Sequence, residues 1–221
     1  SPKVMNRLVQ GDVGSGKTVV ALLTLANCVL NGYQGALMAP TEILAEQHYI
    51  SLTETLKEFG MNVELLVGSL TKKQKEKVLE RVKNKEIDIL IGTHALIEDK
   101  VEFDRLGLVI TDEQHRFGVR QRGKLSDKGN NPDVLVMTAT PIPRTLALIL
   151  YGDLDISIID ELPPGRQPID TIAVSKDKRD RAYNNLVRAE VEKGRQVYIV
   201  CPLVEESEAI EAKAAVELVE E

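Results

Sequence analysis

The residues with the most specific chemistry stand near the start of the chain. Gly11-Asp12-Val13-Gly14-Ser15-Gly16-Lys17-Thr18 fits the pattern G-x4-G-K-[ST] in full. Glycines let a backbone wrap closely around an anion, so several N–H groups converge at the start of a helix, where the helix dipole also favours negative charge. Lys17 has the reach to meet the outer phosphates of a nucleoside triphosphate, and the Thr18 hydroxyl has the chemistry to hold Mg²⁺. The flanks supply the required setting: RLVQ before the motif reads as a strand, and TVVALLTLANCVLNG after it reads as a helix. A glycine-rich turn that merely precedes a lysine would need neither flank. The motif predicts that the chain binds nucleoside triphosphate or descends from one that did.

A second acidic site lies further along, where Leu108-Val109-Ile110-Thr111 runs into Asp112-Glu113-Gln114-His115. A carboxylate at the end of a buried strand beside a phosphate loop can complete the shell of Mg²⁺, and Asp112 is placed for that role, through water. Glu113 follows, suited to orient the attacking water and accept its proton. An acidic pair at a strand end is common on surfaces, so its meaning here comes from the phosphate loop upstream.

These groups need a frame. Short aliphatic runs predict strands at 8–10, 36–39, 63–67, 87–91, 108–111, 134–138 and 156–159, and amphipathic stretches predict helices at about 17–31, 42–59, 71–85, 115–124 and 142–150. Runs apolar on both faces, such as LVIT, suit buried parallel strands, and strand–helix alternation at this spacing predicts a doubly wound α/β sheet. Asp160–Pro168, with three prolines and a glycine, reads as a linker. Beyond it one further round is expected: strand 170–174, helix 177–193, strand 196–200 and a helix at about 205–221. The domain reading is 1–159, a linker at 160–168, and 169–221 as the beginning of a second α/β domain.

Composition narrows the class. Of 221 residues, 43% are hydrophobic but only 4% aromatic, so the core must be aliphatic. No apolar run approaches the roughly 20 residues of a membrane span, and no signal peptide is evident, so a cytoplasmic setting is expected. Cys28 and Cys201 lack the spacing of a disulfide framework or a zinc site. The net charge of −6 argues against a protein that coats nucleic acid through bulk positive charge. That charge is uneven, because residues 169–221 carry 8 basic and 12 acidic side chains. Lys72 to Lys85 holds seven basic residues on a helix with the stripe Val78, Leu79 and Val82, which reads as a solvated face. Arg116, Arg120 and Arg122 follow the acidic pair directly, where nucleic-acid contact and intramolecular packing are both open.

Several segments share an order seen in one enzyme group. Asp112-Glu113-Gln114-His115 resembles motif II of superfamily 2 helicases of the DExH class, Ala39–Gln47 is similar to motif Ia, Gly92-Thr93-His94 stands at the place of motif Ib, and Thr138-Ala139-Thr140-Pro141 is similar to motif III. QGDVGSGKT, MAPTEILAEQH, DEQHRFGVRQR, MTATPIPRT and IDELPPGR together resemble the RecG family of branch-migrating DNA helicases. The transcription–repair coupling translocases share HRFGVR and TATPIPRT, but Ser15, Gln114 and PPGR favour the RecG family.

The resemblance implies a RecA-like P-loop NTPase domain, with a mostly parallel sheet flanked by helices, plus a partial second α/β domain. It implies ATP with Mg²⁺ as cofactors, and branched DNA such as forks and Holliday junctions as partner, in recombination and repair. Thr41 and Thr93 would meet the DNA backbone; Thr41 is equally a helix N-cap. Thr138 and Thr140 would couple hydrolysis to movement, with Gln114 and His115 relaying the state of the outer phosphate. For Arg144, DNA contact and an ion pair across the domain interface are both open. The family's second motor domain, which carries its arginine finger, and its upstream wedge domain would lie outside this sequence. This predicts weak nucleotide binding, very slow hydrolysis and no unwinding by the chain alone. A nucleotide-gated binding module without catalysis is the alternative from another class; oligomeric state is not indicated.

Overall fold

The computed structural model describes residues 4–112, 124–140, 154–161, 165–166 and 169–200. It divides into two units, Ser1–Arg166 and Gln167–Glu221. In the first, seven strands form one parallel sheet: β1 (Asn6–Gly11), β2 (Gln34–Met38), β3 (Val63–Leu66), β4 (Ile89–Gly92), β5 (Leu106–Asp112), β6 (Asp133–Thr138) and β7 (Asp155–Ile159). Their spatial order is β3-β4-β2-β5-β6-β1-β7. All seven strands expected from the aliphatic runs are present. Helices α1 (Lys17–Leu30), α2 (Glu42–Glu58) and α3 (Lys72–Lys83) join them, with a short 3₁₀ turn at His94–Ile97.

The period-2 geometry of strands explains why both faces are apolar. Leu37, Ile89, Ile91, Leu108 and Ile110 face α1 and α2, meeting Ala21, Leu25, Ala45, Leu52 and Leu56. Their neighbours Ala36, Met38, Leu90 and Val109 face the other way, onto Val78 and Val82 of α3 and onto Leu96. Each fully buried leucine of this kind contributes roughly 1.5–3 kcal/mol. The stripe Val78 and Val82 is buried as expected, and the basic residues of α3 find solvent-side partners: Lys83 pairs with Glu102 at 2.6 Å, and Arg81 with Glu64 and Glu86.

One polar side chain is embedded in this frame. Gln34, 1% exposed, donates from Nε2 to Val82 O (2.9 Å) and Ile87 O (2.8 Å). Its Oε1 accepts from Asp104 N (2.9 Å) and Arg105 N (3.1 Å). A single amide thus bonds four backbone groups, from the end of α3 and the loops before β4 and β5, at the N-terminal edge of the sheet.

The second unit departs from expectation. Residues 170–174 and 196–200 form no strands; Ile172, Val197, Tyr198, Ile199 and Val200 are exposed. A parallel strand is stabilised by its sheet neighbours, and two such runs with one helix between them offer none. The expected helix is there in broken form, as a 3₁₀ turn (Lys176–Lys178), an α segment (Arg179–Ala182), a π turn (Tyr183–Val187) and a second α segment (Arg188–Glu192). The helices expected at 142–150 and 205–221, and most of that at 115–124, fall outside the described residues.

Candidate active site

In parallel α/β sheets, ligands gather at the C-terminal ends of the strands. Every described residue singled out for chemistry lies at that edge. Gly11 ends β1, Asp112 ends β5 and Thr138 ends β6, with β6 lying between the other two. The register sets Gln10 beside Thr138 and Asp112 beside Met137. Thr41 and Thr93 follow the ends of β2 and β4.

The phosphate loop is a tight backbone structure. Ser15 N donates to Asp12 O at 3.1 Å, and Gly14 (φ 80°) and Gly16 (φ 96°) take the left-handed conformation that glycine adopts without strain. Gly11 is also short of space, since a Cβ there would stand 2.5 Å from Ser15 Oγ and 3.0 Å from Ile159 Cβ. Gly16 is the N-cap of α1 and offers no side-chain cap, whereas α2 is capped by Thr41 and α3 by a Thr71–Gln74 capping box. The start of α1 therefore keeps its backbone donors for an anion. Lys17 Nζ lies 2.8 Å from both Gly11 O and Asp12 O, holding its charge over the loop.

Gly14, Gly16, Lys17, Thr18, His48 and Asp112 line one cavity of about 370 Å³, closed on other sides by Leu44, Met137 and Ala139. That volume suits a small-molecule ligand. Among the described residues no cluster of three or more potential metal ligands exists. One carboxylate and one hydroxyl beside a phosphate site is nonetheless the donor set that suits Mg²⁺, which keeps waters and takes the rest of its shell from phosphate. The residues present therefore fit nucleotide with Mg²⁺: Lys17 and the loop amides for the phosphates, Thr18 and Asp112 for the cation.

Two groups at this site, His48 and Arg166, end the quoted segments MAPTEILAEQH and IDELPPGR but were assigned no role from the sequence. His48 Nε2 lies 2.7 Å from Asp112 Oδ2, with the side chains only 11% and 14% exposed. Arg166, from the stretch after β7, pairs with Asp12 Oδ2 at 2.6 Å. The Val13 N–H and the Arg166 guanidinium together hold the Asp12 carboxyl below the usual carboxylate range. Both depend on long-range packing that residue spacing does not encode.

The threonines divide. Thr41 Oγ1 accepts from Leu44 N at 3.3 Å, the N-cap role expected of it. The next residue, Glu42, accepts from Ser69 N at 3.2 Å, which anchors the start of α2, and the Ser69 hydroxyl, followed by the Ser69 and Gly68 N–H groups, lowers the Glu42 pKa. Thr138, 2% exposed, accepts from Thr140 N at 3.1 Å, so this pair of the TATP segment forms one local turn. Thr93 requires a correction. It is 2% exposed with Oγ1 fully buried, so in this conformation its hydroxyl cannot meet a DNA phosphate. The buried Ala95 and Leu96 that follow draw the segment inward. Glu113, Gln114, His115, Arg116, Arg120, Arg122 and Arg144 lie outside the described residues.

Comparison with known proteins gives this geometry a lineage. The sequence profile of the "DEAD/DEAH box helicase" family matches residues 2–149. RecG of Bacillus subtilis, an ATP-dependent DNA helicase, is 56% identical over 218 residues, which is 99% of this chain and 32% of that protein. RecG of Aquifex aeolicus is 59% identical over 215 residues, 96% of this chain and 27% of its own length. The chain thus spans about a third of the relatives it matches. A solved structure of RecG bound to a three-way DNA junction superposes with a TM-score of 0.76 at 51% identity, over 92% of this chain and 27% of that one. The helicase domain of Pyrococcus furiosus Hef shares the fold, with a TM-score of 0.55 at 21% identity over 71% of this chain and 35% of its own. The resemblance to RecG read from the motifs thus holds across nearly the whole sequence, and the chain belongs to the DEAD/DEAH box helicase family.

Proposed function

We propose that this chain is the ATP-binding motor domain, with the start of a second motor domain, of a RecG-type helicase acting on branched DNA in recombination and repair. The observation that carries this reading is the shared cavity at the C-terminal edge of the sheet, where the phosphate loop and Asp112 face one space. Lys17 and the loop amides bind the phosphates of ATP, and Thr18 and Asp112 hold Mg²⁺, which supplies charge neutralisation at the transferred phosphate. Glu113 orients the water, and Gln114 and His115 relay the state of the site to Thr138 and Thr140. Thr41, at the N-terminus of α2, is proposed to meet a DNA phosphate; Arg116 and Arg144 are proposed from sequence for DNA contact or coupling. The domain boundaries proposed are 1–159, 160–168 and 169–221, in a cytoplasmic protein.

The second motor domain and upstream wedge of the relatives complete the machine, so this chain alone is expected to hydrolyse ATP barely and to unwind nothing. The test is ATPase activity of this chain with a second motor domain supplied in trans, with and without forked DNA. The reading requires stimulation by both additions and its loss in Lys17→Ala. Robust DNA-stimulated hydrolysis by the chain alone would contradict the division of labour, and activity that survives Lys17→Ala would contradict the site.

A further inference from the structure

We infer that His48 is a positioning residue for Asp112, fixing that carboxylate for the divalent cation that accompanies the nucleotide. The inference rests on the nucleotide-site reading above and goes beyond it, because it adds a residue from a different element.

The argument begins with geometry. His48 Nε2 is 2.7 Å from Asp112 Oδ2, and both side chains line the cavity that holds Lys17 and Thr18. An ionised carboxylate only accepts, so the ring nitrogen that faces it carries the proton and donates. At 11% and 14% exposure the pair is largely withdrawn from water, where such a bond is strong and directional. Asp112 stands at the end of a strand, and its backbone is fixed by pairing with Met137 on β6. Its side-chain torsions are not fixed by that pairing. A carboxylate free to rotate would lose part of its affinity for a cation to ordering, and a hydrogen bond to one oxygen removes that loss.

The element behind His48 makes it a firm anchor. Helix α2 is seventeen residues long, capped at Thr41, and packed through the buried Ala45, Leu52 and Leu56. Ala45 and Leu52, three residues before and four after His48, are buried and fix the stretch of helix that carries its ring. A merely structural histidine would need a partner too, but any buried acceptor would serve. Here the acceptor is the carboxylate at the end of the strand beside the phosphate loop.

The test measures binding rather than turnover. A fluorescent ATP analogue is titrated into this chain with Mg²⁺ and with EDTA, for the unmodified chain, His48→Ala, His48→Gln and Lys17→Ala, with urea unfolding of each. The ratio of the two dissociation constants isolates the cation's contribution. In His48→Ala the affinity with Mg²⁺ should fall by about 10-fold or more, the usual effect of removing the partner of a metal ligand, while the affinity in EDTA stays unchanged. His48→Gln places an amide donor at similar reach and should recover most of the loss. Equal losses with and without Mg²⁺, or no loss, would overturn the inference, as would His48→Gln behaving like His48→Ala at equal stability. If Lys17→Ala bound the analogue as tightly as the unmodified chain, the nucleotide-site reading would fail instead. An unmodified chain whose Lys17-dependent binding is indifferent to Mg²⁺ would also overturn the role assigned to His48.

Discussion

Arg166 reaches back across the domain to the phosphate loop, pairing with Asp12 Oδ2 at 2.6 Å and approaching Val13 O at 3.4 Å. The residue belongs to the proline-rich stretch after β7, so a segment that reads as a linker has one end tied to the nucleotide site. Asp12 also accepts from Val13 N at 2.7 Å, which is the larger cause of its depressed pKa. Its stabilising contribution is therefore present above the ordinary aspartate pKa and is lost as pH falls through the lower folded value. In Arg166→Gln the Asp12 carboxyl should titrate at a higher pH, while remaining below an unperturbed aspartate because the Val13 bond persists. Carbon-detected NMR of the carboxyl resonance reads this directly, and an unchanged titration would show that the pair does not form in solution. Added salt should produce a similar, smaller shift, since both groups are partly exposed.

Gln34 should be the costliest polar residue to remove. Gln34→Ala leaves Ile87 O, Asp104 N and Arg105 N without the partner that now satisfies them, while Val82 O keeps its bond from Lys85 N. Unsatisfied buried groups cost about 1–3 kcal/mol each, and some will recover water at the sheet edge, so a total near 3 kcal/mol is expected. Gln34→Glu should be at least as damaging, since a carboxylate cannot donate to Val82 O and Ile87 O. Urea midpoints at constant m-value measure both. Two variants within 1 kcal/mol of the unmodified chain would mean that the loops reorganise around the site.

What could be read from the sequence follows from how local each cause is. The seven strands were legible because each is a short aliphatic run, buried on both faces in the central ones, as in Ile89-Leu90-Ile91. The phosphate loop was legible because its constraints lie within eight residues. The roles of His48, Arg166 and Gln34 were not, although the first two end quoted motifs, because each acts on a partner far away in the chain. Thr93 shows the opposite error. Its motif position suggested a hydroxyl offered to DNA, yet the buried 3₁₀ turn that follows holds it inside. The strands expected at 170–174 and 196–200 have suitable residues, but pairing is a property of neighbours and not of a run.

Gly92 is required by space at the end of β4. A Cβ there would overlap the Leu66 carbonyl of the neighbouring strand, and backbone atoms on both sides of a parallel ladder cannot yield cheaply. Gly92→Ala should therefore destabilise the domain by about 2–4 kcal/mol, in the range of severe overpacking. It should act through folding and not through the nucleotide site, which lies on other strands. Thermal unfolding should show a lowered midpoint that bound nucleotide partly restores. A neutral Gly92→Ala would imply that β3 moves away from β4 at this point.

Cys28 offers a pH test with a defined window. Burial is the main cause that pushes its thiol up to about 11, with the Asp133 carboxylate adding to it and a backbone hydrogen bond from Gly107 opposing it. The thiolate is the reactive species, so at pH 8 its population is about a hundredfold or more below that of a free cysteine. In a Cys201→Ser background, alkylation of Cys28 should be correspondingly slow at pH 8 and should keep rising toward pH 11. The stability linked to the protonated thiol is complete below the ordinary cysteine pKa and is lost as pH rises through about 11. Unfolding the chain in urea should bring the rate up to that of a free thiol. A native rate already equal to the unfolded one would mean that the end of α1 opens readily, and that the burial of Cys28 beside Gln34 O is not maintained in solution.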